Sequence, residues 1–237
     1  MSAPRVGSAQ QARTKSPDSG AMWALTALAL LLASVSVAAE TVRISLSQWK
    51  IEAEQGARIA IRNGVLDIDV PGGATLWLER ELHAPVTIEY DVMAVDEGGT
   101  NDRVSDVNAF WMATDKDGSS PLGHRGGTFE QYNSLLTYYV GIGGNSNSTT
   151  RMRRYIGEPD ERPLLLAHDL SDAKTLLRAN RWQKVMLIAD GRGAEVRRDG
   201  KRLFRLDDAQ PYTRGWFAIR TVKSHLRVRN LRISDQE

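Results

Sequence analysis

The chain has 237 residues, 41% hydrophobic and 25% charged, the balance of an ordinary globular protein with room for one large domain or two small ones. Its formal net charge of +2 gives no electrostatic case for a nucleic-acid partner. It has no cysteine, which rules out disulfides and thiolate metal sites and leaves the redox compartment open.

The first 39 residues read as a signal peptide. Arg5, Arg13 and Lys15 precede an uncharged run over 21–39, and Val37-Ala38-Ala39 offers small residues for cleavage before Glu40. The run approaches the roughly 20 residues that span a bilayer. Ser34 and Ser36 interrupt its apolar character, so cleavage is the expectation over a retained anchor. The expected product is an exported domain, periplasmic or secreted, beginning at Glu40 and free of the membrane.

Beyond Glu40 the apolar residues recur every second position. Runs over 57–61 and 65–70 flank Asn63-Gly64, a dipeptide that tolerates positive φ at both centres of a tight hairpin turn. Pro71-Gly72-Gly73 reads as the next turn, before strands over 75–81 and 86–95. A strand over 107–114 lies between polar loops at 97–106 and 116–128. Runs over 135–142 and 149–155 are joined by residues 143–148, short enough to make them hairpin partners. Residues 172–179 read as the one helix. Strands over 182–189, 194–198, 202–206, 215–221 and 226–233 complete the chain, with a hairpin turn at Asp199-Gly200. About a dozen short strands without strand–helix alternation predict an all-β fold, one antiparallel β-sandwich over 40–237. Phe110, and Trp216 or Phe217, should be buried in it.

Residues 101–155 concentrate side chains suited to recognition. Alternation puts Arg151, Arg153 and Tyr155 on one face of their strand, with Met152 and Arg154 on the other. Guanidinium groups take carboxylates in a two-bond fork, so the arginines suit a uronate or sulfated sugar. The alternative is a solvated strand face with scattered ion pairs. Tyr138 and Tyr139 are adjacent and must face opposite ways, one to the core and one to a cleft. Aromatic faces stack on sugar rings, and the phenols of Tyr132, Tyr139 and their neighbours can hydrogen-bond or transfer protons. His124, in the loop GHRGG, is placed to reach a ligand, and His168 sits beside Asp169. His83 and His225 read as turn residues. Asn108, Asn145 and Asn147 join Tyr138, Arg154 and His168 as candidate binding residues. No cofactor is expected, because neither HxH nor HExxH spacing supports zinc. Asp115-Lys116-Asp117-Gly118 matches part of a calcium loop, which leaves a structural calcium open, but a turn at Asp117-Gly118 accounts for it more simply.

The segments SDVNAFWMATD, FEQYNSLLTYYVGIGGNSNSTTRMRRY, RPLLLAHDL, LLRANRW and PYTRGWFAIRTVKSHLRVRNLRI resemble a bacterial family of exported domains of unknown function. That family is grouped with the concanavalin A-like lectin and glucanase jelly rolls. The resemblance covers nearly everything after Glu40 and implies a polysaccharide or oligosaccharide ligand. Jelly-roll polysaccharide lyases neutralise a uronate carboxylate with Arg, Asn or Gln and remove the C5 proton with Tyr or His. On that logic Arg151 and Arg153 would neutralise the carboxylate, Tyr139 or Tyr132 would act as acid, and His124 as base. The R-x-E-x-R and Y-x-K-x-G strand motifs of alginate lyases are absent, as is the E-x-D-x-E strand of jelly-roll glucanases. A non-catalytic carbohydrate-binding module and a glycoside hydrolase are the competing readings.

Overall fold

A computed structural model describes residues 40–235, so the segment expected to direct export lies outside the described residues. Thirteen strands occur among them: β1 (Glu40–Thr41), β2 (Trp49–Ala53), β3 (Arg58–Arg62), β4 (Val65–His83), β5 (Val86–Ala94), β6 (Val107–Thr114), β7 (Leu136–Gly143), β8 (Thr149–Ile156), β9 (Asp169–Leu170), β10 (Gln183–Ala189), β11 (Gly193–Arg198), β12 (Lys201–Asp207) and β13 (Arg214–Asp235). Every pairing is antiparallel.

The long strands β4 and β13 belong to both layers of a sandwich. The first half of β13 pairs with β6 and its second half with β5. The second half of β4 takes β2 as neighbour and its first half β3. One layer therefore runs β2-β4-β13-β6-β7-β8-β9, and the other β3-β4-β13-β5-β10-β11-β12. The pair changes layer at the register shift between Val222 and Ser224, which face Gly73 and Val70. Pro71-Gly72-Gly73, expected as a turn, is thus a bend inside a continuous strand. Gly73 is required there, because a Cβ would lie 2.1 Å from the carbonyl oxygen of Gly127. The turns at Asn63-Gly64 and Asp199-Gly200 form as expected, all four residues at positive φ.

Alternation sends Leu76, Tyr90, Trp111, Tyr138, Val140 and Phe217 into the core between the layers. A second apolar cluster, with Trp77, Phe110, Tyr132, Tyr139 and Tyr155, lies on the outer face of the first layer. The segment 115–135 covers it. Phe110 and Phe217 are fully buried, one in each cluster, whereas Trp216 is half-buried. The covering segment is pinned by the buried carboxylate of Glu52 on β2. One Glu52 oxygen accepts from Trp77 Nε1 (2.9 Å) and the Tyr132 hydroxyl (2.7 Å), the other from the backbone N–H groups of His124 (2.9 Å) and Arg125 (3.1 Å).

The expected helix over 172–179 does not form. Only a single 3-10 turn, Ala173–Thr175, is present, and Leu176 is extended. Tertiary partners take the groups that an α-helix would pair internally. The carbonyls of Lys174, Thr175 and Leu176 accept from the Arg198 guanidinium, and Leu177 N–H donates to Asn147 Oδ1 at 2.8 Å.

Candidate functional site

Pairing register builds the site. Across the outer face of the first layer, Arg220 of β13 faces Asn108 of β6, Asn108 faces Gly141 of β7, and Gly141 faces Arg151 of β8. The adjacent row is Ala218, Phe110, Tyr139 and Arg153. The segment 115–135 closes over the aromatic end of these rows. The remainder is open as a groove of about 410 Å³, a size suited to a small ligand. Among the described residues four arginines line it, Arg103, Arg151, Arg153 and Arg162, with Asp106 as the one carboxylate.

These cations differ in their commitments. Arg151 already forks onto Asp169, at 2.8 and 3.0 Å. Arg103 holds Asp106 (2.5 Å) and the carbonyls of Val222 (2.7 Å) and Lys223 (2.8 Å). Arg162 lies over the Phe129 ring, 5.4 Å from its centroid. Arg153 donates to the Arg162 carbonyl and has no carboxylate partner among the described residues. Burial lowers the Arg153 pKa, and the neighbouring guanidinium groups of Arg162 and Arg151 act in the same direction.

Beneath the groove lie polar atoms with no protein partner among the described residues: Asn108 Oδ1, the Tyr155 hydroxyl, and Nε and Nη2 of Arg220. Arg220 is fully buried, bonds Thr75 Oγ1 through Nη1 at 2.6 Å, and packs against the Phe129 and Tyr132 rings. Burial lowers its pKa. Orphaned buried groups are rare enough that several in one place point to a missing partner. The Tyr139 hydroxyl makes no hydrogen bond to protein among the described residues, and burial raises its pKa well above the usual tyrosine value.

The floor is open because residue 141 is glycine. A Cβ there would lie 2.6 Å from the Tyr139 hydroxyl oxygen and 2.9 Å from Asn108 Oδ1. Gly141→Ala is therefore expected to displace both groups and weaken ligand binding while the β7–β8 hairpin persists. Titration of ligand into a folded variant checks this, and unchanged affinity would count against the floor assignment.

The β7–β8 turn forms one rim. Asn145, Ser146 and Asn147 all adopt left-handed backbone, with φ of 52°, 57° and 60°. This conformation costs roughly 1–2 kcal/mol per residue, and such strain collects at ligand sites. Asn145 and Ser146 face the groove, whereas Asn147 turns away to bracket the backbone of Leu177.

The loop over 97–106, which carries Arg103 and Asp106, adjoins this turn: Arg103 Nη1 donates to Ser146 Oγ at 3.4 Å and the Asp106 N–H to the Gly143 carbonyl oxygen at 3.2 Å. His225, expected in a turn, instead lies on β13 and clamps this loop to β4. Its Nδ1 is 2.8 Å from Asp102 Oδ1, and its Nε2 is 3.1 Å from Asp67 Oδ2. Burial alone would lower the His225 pKa, but the two carboxylates outweigh it and raise the value. The clamp is therefore fully formed below the unfolded-chain pKa near 6.5 and is lost as pH rises through the higher folded value. Melting temperatures measured from pH 5.5 to 8.5 should fall across that window in the parent and less in His225→Gln. Parallel curves would rule the clamp out.

Of the residues singled out by sequence, the groove gathers Asn108, Tyr139, Asn145, Arg151 and Arg153. The others lie elsewhere. Tyr138 and Arg154 are on the far side of the sheet, where both bond Asp208 Oδ2, at 2.8 and 2.6 Å. Tyr132 is buried against Glu52. His124 is exposed, engages Glu52 through its backbone, and does not line the groove. His168 is buried against Phe204, with Nε2 3.0 Å from the Arg205 carbonyl oxygen. Arg103, Arg162, Arg220 and Gly141 escaped sequence reasoning. Arg220 left one signal: in GWFAIRTV it shares parity with Ala218, opposite the core residues Phe217 and Ile219. Among the described residues no cluster of His, Cys, Asp and Glu has a metal-holding arrangement. Asp117 accepts from Ser119 N–H and Oγ in a local turn.

A family model described as "Domain of unknown function (DUF6250)" matches residues 68–231. No curated protein sequence matches the chain. Among solved structures, a Bacillus subtilis protein of unknown function with a galectin-like fold is 14% identical, with a TM-score of 0.66 over 84% of this chain and 95% of that one. The carbohydrate-binding module CBM66 from Bacillus subtilis is 12% identical, with a TM-score of 0.55 over 79% and 96%. The metal-free carbohydrate recognition domain of Emp46p is 15% identical, with a TM-score of 0.56 over 81% and 90%. At these identities the likeness is one of fold, a galectin-like β-sandwich.

Proposed function

This chain belongs to the family described as a domain of unknown function, DUF6250, and from that premise we propose that it is an exported protein whose arginine-lined groove binds an acidic saccharide. One observation carries the reading. Four arginines and a single carboxylate line a groove that also holds Tyr139, Tyr155 and Asn145. Arginine forks select carboxylates and sulfates, while aromatic rings and amides suit the body of a sugar. The galectin-like sandwich supports a sugar ligand by analogy, since CBM66 is a carbohydrate-binding module and the Emp46p domain a carbohydrate recognition domain. Fold analogy alone assigns no function, so the weight rests on the groove. Export rests on the signal-like pattern over 1–39.

Calorimetric titration with polygalacturonate, alginate, sulfated and neutral oligosaccharides tests this. Acidic ligands should bind, and more weakly as salt rises. Binding of neutral glycans alone would overturn the reading.

A second reading, elimination at a uronate, is favoured by the unengaged Tyr139 hydroxyl beside Arg153. In that reaction the C5 proton leaves, the C4–O bond breaks, a C4=C5 double bond forms and the departing oxygen takes a proton. Tyr139, held as a neutral phenol by its raised pKa, suits the last step. No histidine lines the groove to serve as base, which places binding first. Hydrolysis is less well supported, because it needs two carboxylates and Asp106 is alone. Ultraviolet absorbance of an unsaturated uronate, followed with the same substrates, separates elimination from binding.

A further inference from the structure

Outside the groove, a cavity of about 590 Å³ opens where three elements converge: the 3-10 turn at Ala173–Thr175, the segment 176–183, and the β11–β12 hairpin. Among the described residues its wall carries six cations, Lys174, Arg178, Arg181, Arg198, Lys201 and Arg202, against two carboxylates, Asp172 and Asp199. The carboxylates are partly engaged: Asp172 lies 3.3 Å from Lys174, and Asp199 Oδ1 accepts from the Lys184 backbone at 2.9 Å. Arg178, Arg181 and Lys201 form no ion pair among the described residues. Arg181 and Arg178 stand close enough to Arg198 to repel its charge, adding to the lowering of its pKa by burial.

Two features separate this cavity from a merely solvated basic face. Arg198 is held rigidly, its guanidinium donating to the carbonyls of Lys174, Thr175 (2.8 Å) and Leu176 (3.1 Å), so the positive wall is built into the fold. Gln183, only 5% exposed, lines the cavity, and its Nε2 has no protein partner among the described residues. A buried amide donor left unmade costs roughly 1–3 kcal/mol, and uncompensated like charges add to that cost. A ligand that is anionic and accepts hydrogen bonds relieves both.

We propose that this cavity is a second ligand site, distinct from the groove, that takes a tetrahedral oxyanion, sulfate or phosphate, either free or as an ester on a polymer. The donors arrive from three elements and so from several directions, which suits oxygens arranged tetrahedrally. A planar carboxylate is satisfied by one arginine fork. The excess of cations over carboxylates favours a multiply charged ligand.

The test is titration calorimetry with inorganic pyrophosphate at constant ionic strength, with dextran sulfate and uncharged dextran in parallel. Pyrophosphate is expected to bind the parent, and Arg178→Glu/Arg181→Glu to weaken it at least tenfold. Both side chains are exposed and form no ion pair, so the fold is not at stake. Gln183→Leu should weaken binding as well, without lowering the melting temperature. Arg153→Ala, in the groove, should leave it unchanged. In an Arg153→Ala background, which weakens the groove, dextran sulfate binding lost on adding Arg178→Glu/Arg181→Glu identifies a polymer-borne ester as the occupant, and binding of pyrophosphate alone identifies the free ion. Pyrophosphate affinity unchanged in the double variant, or abolished by Arg153→Ala, overturns the proposal. Because the groove variant is read separately, failure here leaves the acidic-saccharide reading standing.

Discussion

Arg153→Ala is expected to weaken binding of an acidic oligosaccharide by about 10- to 150-fold, the equivalent of losing a charged hydrogen bond worth roughly 1.5–3 kcal/mol. Arg153, like Arg162, has no carboxylate partner among the described residues, and it is the one that sits beside Tyr139 in the register. Arg151 should matter less, because Asp169 already occupies its fork. Arg153→Lys should be nearly as harmful as Arg153→Ala, since lysine keeps the charge and loses the planar fork. Arg154→Ala is the control: it lies on the opposite face, bonded to Asp208, and should change stability without changing affinity. Calorimetry on folded variants decides the matter. Equal affinities for the parent and Arg153→Ala would remove Arg153 from the site, and a loss in Arg154→Ala matching that of Arg153→Ala would remove the face assignment with it.

Glu52→Ala is expected to be the most destabilising of these substitutions. It strips the partner from four donors at once, the Trp77 indole, the Tyr132 hydroxyl and two backbone N–H groups of the segment 115–135. Each buried donor left unsatisfied costs roughly 1–3 kcal/mol. Rearrangement and water recover part of that, leaving a loss of about 3 kcal/mol or more, or a fall in melting temperature of roughly 6–12 °C for a domain of this size. The segment 115–135 carries Phe129, one wall of the groove, so ligand binding should weaken in step. Thermal melts and limited proteolysis between residues 115 and 135 check both parts. A variant that melts with the parent would show that water replaces the carboxylate at no cost.

Sequence alone determined the class of this protein and one face of its site. Period-two alternation needs no tertiary information to place Arg151, Arg153 and Tyr155 together, and Asn-Gly and Asp-Gly turns carry their own backbone preference. The short connection over 143–148 makes the two strands hairpin partners, and the observed register then puts Tyr139, not Tyr138, beside the arginines. Tertiary structure decided what covers that face and what reaches it. Arg103 and Arg162 come from loops, which have no period to read, and Arg220 comes from a strand more than a hundred positions along the chain from its neighbour Asn108. His124 and Tyr132 looked available because exposure and hydrogen bonding cannot be read from residue type. The Glu52 carboxylate claims both, one through its backbone and one through its hydroxyl. The bend at Pro71-Gly72-Gly73 and the missing helix over 172–179 have the same origin. Local preference there is weak, and long-range partners, Glu54 bonding both the N–H and the carbonyl of Gly73 in one case and Arg198 with Asn147 in the other, settle the backbone.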